Sequence, residues 1–174
     1  LKRHALASLA ALLFSAFASV ASAQSGAPQR VVDGFSGMIL ICNPAVAQAW
    51  GIPICEVTAQ EFTARAKAGN MRHLVGKPGA VDSMPEHATP KGPIETAKSL
   101  RLLIWFDRLD RPEKGWQMNL RAYSELRGPG GQRMWRNVFV QSAIFEAGRE
   151  ERQAREAMPL VIRGFMDLMS KPQS

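Results

Sequence analysis

The stretch Trp116-Gln117-Met118-Asn119-Leu120-Arg121-Ala122-Tyr123-Ser124-Glu125-Leu126 decides how this chain folds. Trp116, Met118, Leu120 and Ala122 fall on one side of an extended backbone. Gln117, Asn119, Arg121 and Tyr123 fall on the other. A period of two marks a strand with one buried and one wetter face. Upstream, Leu100 to Leu109 sets Leu102, Ile104 and Phe106 against Leu103, Trp105 and Asp107, as a mostly buried strand does. Asp110-Arg111-Pro112-Glu113-Lys114-Gly115 between them reads as a turn. Downstream, Arg127-Gly128-Pro129-Gly130-Gly131-Gln132 is a second turn. Arg133 to Ser142 returns as a strand carrying Trp135, Val138, Phe139 and Val140. The expectation is a three-strand antiparallel meander.

Its apolar face needs a cover. Glu150 to Met169 supplies one, with Ala154, Ala157, Met158, Val161, Ile162, Phe165, Leu168 and Met169 recurring at spacings of three and four. Glu150 and Glu151 suit the positive end of that helix. Pro159 inside it predicts a kink costing about 3 kcal/mol relative to Ala.

The N-terminal half is more broken. Met38 to Ile41 reads as a short buried strand. Asn43-Pro44 predicts a helix start and Gly51 with Pro53 its stop. Thr58-Ala59-Gln60-Glu61 matches a capping box. It predicts a second helix with Ala59, Phe62 and Ala66 as its stripe and Gly69-Asn70 as its end. Met71 to Val75 reads as a short strand. Gly76 to Pro93 carries four prolines and three glycines and reads as a long loop. The fold class expected is α+β: a small antiparallel sheet covered on one face by helices and closed by the amphipathic C-terminal helix.

Residues 1–23 read as a cleaved signal peptide, with an uncleaved N-terminal membrane anchor as the alternative. Lys2, Arg3 and His4 precede an uncharged apolar run from Ala5 to Val20, and Ala21-Ser22-Ala23 is the small-x-small pattern of a cleavage site. Cleavage before Gln24 leaves residues 24–174 as one periplasmic α+β domain, with 20 cations against 15 acids. No later stretch reaches the length of a membrane span, and export argues against a nucleic-acid partner. Cys42 and Cys55 are the only cysteines, and an oxidising compartment pairs them as a disulfide. That bridge closes a loop of about 14 residues, worth about 3 kcal/mol in the chain-entropy account.

The chain is 46% apolar and 21% charged, which is a globular balance. Two cysteines exclude a disulfide-scaffold mini-protein and a four-cysteine zinc module. Metal binding has little to draw on, since only His73 and His87 remain after cleavage, at no ligand spacing to a cysteine. No cofactor motif occurs, and no Gly-x-Ser-x-Gly elbow. The acid pairs Asp107 with Asp110 and Glu150 with Glu151 read as a solvated turn and as helix-terminus electrostatics.

One constellation stands out. Residues 101–136 hold eight cations (Arg101, Arg108, Arg111, Lys114, Arg121, Arg127, Arg133 and Arg136) against four acids. Arg121 and Tyr123 share the wetter face of the middle strand with Gln117 and Asn119, and Arg136 on the next strand is expected to join them. Such a face suits an anion, a polyanionic polymer or an acidic protein segment. The order of elements over Leu100 to Met169, with Gly130-Gly131-Gln132-Arg133-Met134-Trp135 as the returning turn, resembles small periplasmic accessory modules of bacterial envelope machinery. That likeness is architectural and carries no specific motif. The leading reading is a non-enzymatic exported binding module. The alternatives are a small secreted hydrolase using His73 or His87 beside the 76–93 loop, and a structural subunit of an envelope complex. Intact mass of the protein from a periplasmic extract, without reductant, is expected to match a chain starting at Gln24 and lighter by two hydrogens. A full-length reduced chain would refute the export reading.

Overall fold

The computed structural model describes residues 30–44, 48–110 and 115–172. The signal-peptide reading and most of the 110–115 turn therefore lie outside the described residues. The described chain runs β1 (Met38–Asn43), α1 (Gln48–Ala68), β2 (His73–Gly76), β3 (Glu86–His87), β4 (Ile94–Glu95), β5 (Leu100–Arg108), β6 (Trp116–Arg127), β7 (Arg133–Phe145) and α2 (Glu150–Ser170). It is a mixed α+β fold.

The meander forms as expected: β5, β6 and β7 pair antiparallel in sequence order. The sheet is larger than the meander, however. Its order is β2-β1-β5-β6-β7, and β1 pairs parallel with both β2 and β5. The expected three-strand antiparallel sheet is thus corrected to a five-strand mixed one. The cause lies in β1. Met38, Ile39, Leu40 and Ile41 are all buried, so both faces of this strand are covered. A strand apolar on both faces belongs inside a sheet and not at its edge.

Leu100, Leu102, Ile104 and Phe106 of β5 join Met38 and Leu40 of β1 and Met118, Leu120 and Ala122 of β6 on one face. Both helices pack there, α2 through Ala154, Met158, Ile162, Phe165, Met166 and Met169. Helix α2 remains one element from Glu150 to Ser170, with Pro159 inside it.

The N-terminal helices need a second correction. A single helix runs from Gln48 to Ala68 through Gly51 and Pro53. Ile54, Thr58, Phe62 and Ala66 form a stripe at four-residue spacing and are all fully buried. A proline and a glycine together cost a helix about 4 kcal/mol. Burial of that stripe and a covalent tether offset the cost. The tether is the Cys42–Cys55 disulfide, which joins the end of β1 to the first half of α1 across a Cα separation of 5.6 Å. Thr58 is not a cap: its hydroxyl donates to the Ile54 carbonyl inside the helix at 2.7 Å. Glu61 pairs forward with Arg65.

The 76–99 segment folds over the other face of β1. Val81 and Ile94 cover Ile39 and Ile41 in a second apolar cluster, flanked by Leu74 and Leu103. Short β3 and β4 pair within it. The approach is close: a Cβ on Gly76 would collide with a Val81 methyl. Past β5 the cover reaches only the Ser124–Glu125 end of β6, and the outer face at Arg121, Val140 and Ile144 stays open.

Candidate functional site on the open sheet face

The register places each side chain. On the open side, Arg101 of β5 faces Tyr123 of β6, Leu103 faces Arg121, Trp105 faces Asn119 and Asp107 faces Gln117. On β7, Val140 lies beside Arg121, Ser142 beside Asn119 and Ile144 beside Gln117. Four of the five expected binding residues (Gln117, Asn119, Arg121 and Tyr123) therefore share one face.

Arg136 does not join them. Between Ala122 and Tyr123 the pairing skips a residue, so Ala122 faces Phe139, Tyr123 faces Asn137, and Val138 is the extra residue of a bulge. A one-residue insertion exchanges the two faces of a strand beyond it. Arg136 consequently sits opposite Ser124, on the side that carries Ala122. Trp135 takes the place on the open face, opposite Glu125.

The lower half of the face is a polar ladder. Asp107 accepts from the Trp105 indole and from the Asn119 amide, both at 2.8 Å. Asn119 accepts in turn from Gln117 and from the Ser142 hydroxyl, both at 2.9 Å. Gln117 and Asn119 are thus held by their neighbours, and they orient the strands.

The upper half centres on Arg101, which is 1% exposed. One terminal nitrogen donates to Asp82, in the turn Val81–Ser83 of the covering segment. The other donates to the Thr96 carbonyl at 3.1 Å and lies 3.8 Å from Glu125. The Glu125 side chain is 2% exposed and has Arg133 at 3.3 Å on its outer side. The Arg101 guanidinium also stands over the Trp135 ring at 4.7 Å and near the Tyr123 ring at 5.9 Å. Those rings meet edge to face at 5.2 Å. Arginine over tryptophan is the favoured cation–π pair. Arg101 Nε and Glu125 Oε1 are buried without a hydrogen bond among the described residues. Buried charges persist only when paired, and here Arg101 is the post that pairs both acids and fastens the covering segment to the sheet.

Arg121 differs. It is exposed, its Nε donates to the Asn137 side-chain oxygen, and among the described residues it has no acidic partner. Asp82, Arg101, Leu103, Arg121, Tyr123 and Trp135 line a hollow of about 290 Å³. A larger hollow of about 700 Å³ lies at the start of α2, between Trp50 and the run Gly148 to Arg155. There the Glu146–Arg149 and Glu151–Arg155 ion pairs engage three of the lining residues, and Glu150 and Arg152 add one charge of each sign.

The remaining candidates are engaged in structure. His73 Nδ1 lies 3.0 Å from the Met71 carbonyl, and His87 Nε2 lies 3.0 Å from the Val81 carbonyl. Neither ring is hydrogen-bonded to a serine or threonine hydroxyl among the described residues. No group of three or more His, Cys, Asp or Glu there could hold a metal ion. No described helix is long and apolar enough to cross a membrane.

Sequence reasoning missed Trp135, Asp82, Glu125 and the special place of Arg101. A cation inside the run Leu100-Arg101-Leu102-Leu103-Ile104 was the available signal. No known family profile matches this chain, and comparison with curated proteins finds no relative.

Removing Arg101 alone leaves Glu125 buried against a single exposed partner. Arg101→Met is expected to cost about 3–5 kcal/mol of unfolding free energy in urea titration. Arg101→Met combined with Glu125→Gln is expected to recover a substantial part. A cost below about 1 kcal/mol for the single change would contradict the paired-charge account.

Proposed function

We propose that this protein is an exported, periplasmic binding module of the cell envelope that takes an anionic partner on the open face of β5–β7, without catalysis. One observation carries the reading. Arg121 is an exposed cation with no ion-pair partner among the described residues, and it lines one hollow with the exposed Trp135 on a sheet whose other face is filled by helices. A guanidinium already fixed through Nε offers its remaining N–H donors to an oxyanion at little entropic cost. Indole and phenol rings beside it supply contact area with few rotatable bonds. The excess of 20 cations over 15 acids in residues 24–174 favours approach of an anion at longer range. The disulfide is consistent with an oxidising compartment and so supports export.

Calorimetry with poly-L-glutamate as probe tests this reading. Arg121→Glu is expected to weaken binding at least tenfold, while Arg136→Glu, on the opposite side, changes it less than threefold. Equal losses would mean that overall charge and not this face attracts the anion, and the reading would fall.

A further inference from the structure

The hollow beside Arg121 is more selective than a charged patch. We propose that it takes a small monocarboxylate with a flat or branched apolar body, a proposal that rests on the anion-binding reading of the open face. The carboxylate seats on Arg121, and the body lies against Leu103, Tyr123 and Trp135.

Four observations define that ligand. The first is net charge. Two cations line the hollow, but Arg101 is matched by Asp82, and Glu125 behind it is matched by Arg133. Only the charge of Arg121 is left, which suits a single negative charge. The second is Asp82 itself. Its carboxylate lines the same hollow and is more than half exposed. It repels a second negative charge on the ligand, which disfavours dianionic phosphate and dicarboxylates. The third is shape. The planar guanidinium fork of Arg121 matches a carboxylate in bidentate fashion. Asn137 holds Nε and so sets the plane of that fork. The fourth is the lining. Trp135 is 46% exposed although its ring contacts both Tyr123 and Arg101, so one of its sides remains available. A volume of about 290 Å³ is at the small end for ligand sites and admits a body of one or two rings.

The Val138 bulge is the device that makes this site. Without it, Arg136 would face Glu125 on the open side and Trp135 would lie on the other. The face would then be a charge cluster with Tyr123 as its one ring.

Indole-3-acetate is the probe, with indole-3-acetamide, acetate and inorganic phosphate as comparisons, each titrated calorimetrically into the purified protein. The Trp135 indole N–H resonance, assigned with Trp135→Phe, reports the location. Indole-3-acetate is expected to bind saturably, at least tenfold more tightly than each comparison, and to shift that resonance. Arg121→Gln is expected to lose at least tenfold. Trp135→Ala is expected to lose a similar factor, and Trp135→Phe to retain most of the affinity, with urea midpoints confirming that each variant is folded. If acetate or phosphate binds as well as indole-3-acetate, the apolar body plays no part and the proposal is overturned, while anion binding at Arg121 stands. If poly-L-glutamate binds through Arg121 and no small carboxylate saturates, the ligand class is wrong and the partner is a polymer. If neither binds, both readings fail together.

Discussion

The two-residue period of β5 is the constraint on which the other layers depend. Its even positions, Leu100 to Phe106, floor the helical layer, and its odd positions face the covering segment and the open site. It pairs with β1 on one side and β6 on the other, so it joins the parallel and antiparallel parts of the sheet. A slip of one residue would turn Arg101 into the apolar layer beneath α1 and α2. It would also bring Leu102 and Ile104 to the open side. Burying an unpaired guanidinium costs several kcal/mol, so the register is strongly specified. Helix placement, segment closure and site geometry all inherit that register.

The same strand explains why structure and site share residues. Arg101 fastens the covering segment through Asp82 and Thr96, and it backs the aromatic wall of the hollow. Arg121 has no such structural duty beyond its bond to Asn137. A charge committed to structure thus lies next to one left open to solvent. The two positions are separable: changing Arg121 removes an exposed cation, whereas changing Arg101 strands a buried acid.

Local pattern made the meander and the closing helix legible, because alternation in β6 and three-four spacing in α2 are properties of neighbouring residues. The disulfide followed from there being only two cysteines. Two features resisted. The continuity of α1 was hidden by Gly51, Pro53 and the capping-box sequence at Thr58. Burial of Ile54, Thr58, Phe62 and Ala66 overrides those local preferences, and that burial comes from the core that α1 shares with α2 and the sheet. The joining of β1 and β2 to the meander is a parallel pairing between segments far apart in sequence, with no local mark. At the site, Gln117, Asn119, Arg121 and Tyr123 came together because they alternate on one strand. Arg136 and Trp135 were exchanged by one bulged residue, Val138, which leaves no signature in composition or spacing. Asp82 reaches Arg101 only through the folding-over of an irregular segment.

The central claim is that function resides on the open face of β6 and β7. Two exposed residues on β7 test it directly, since Val140, beside Arg121, and Arg136 lie on opposite sides of the sheet. A benzophenone amino acid placed at position 140 or at position 136 in the cell, followed by irradiation and mass analysis of the protein, distinguishes the two sides. The account predicts a discrete covalent adduct, of small ligand or partner, from position 140 and none from position 136. Adducts from position 136 alone would contradict it.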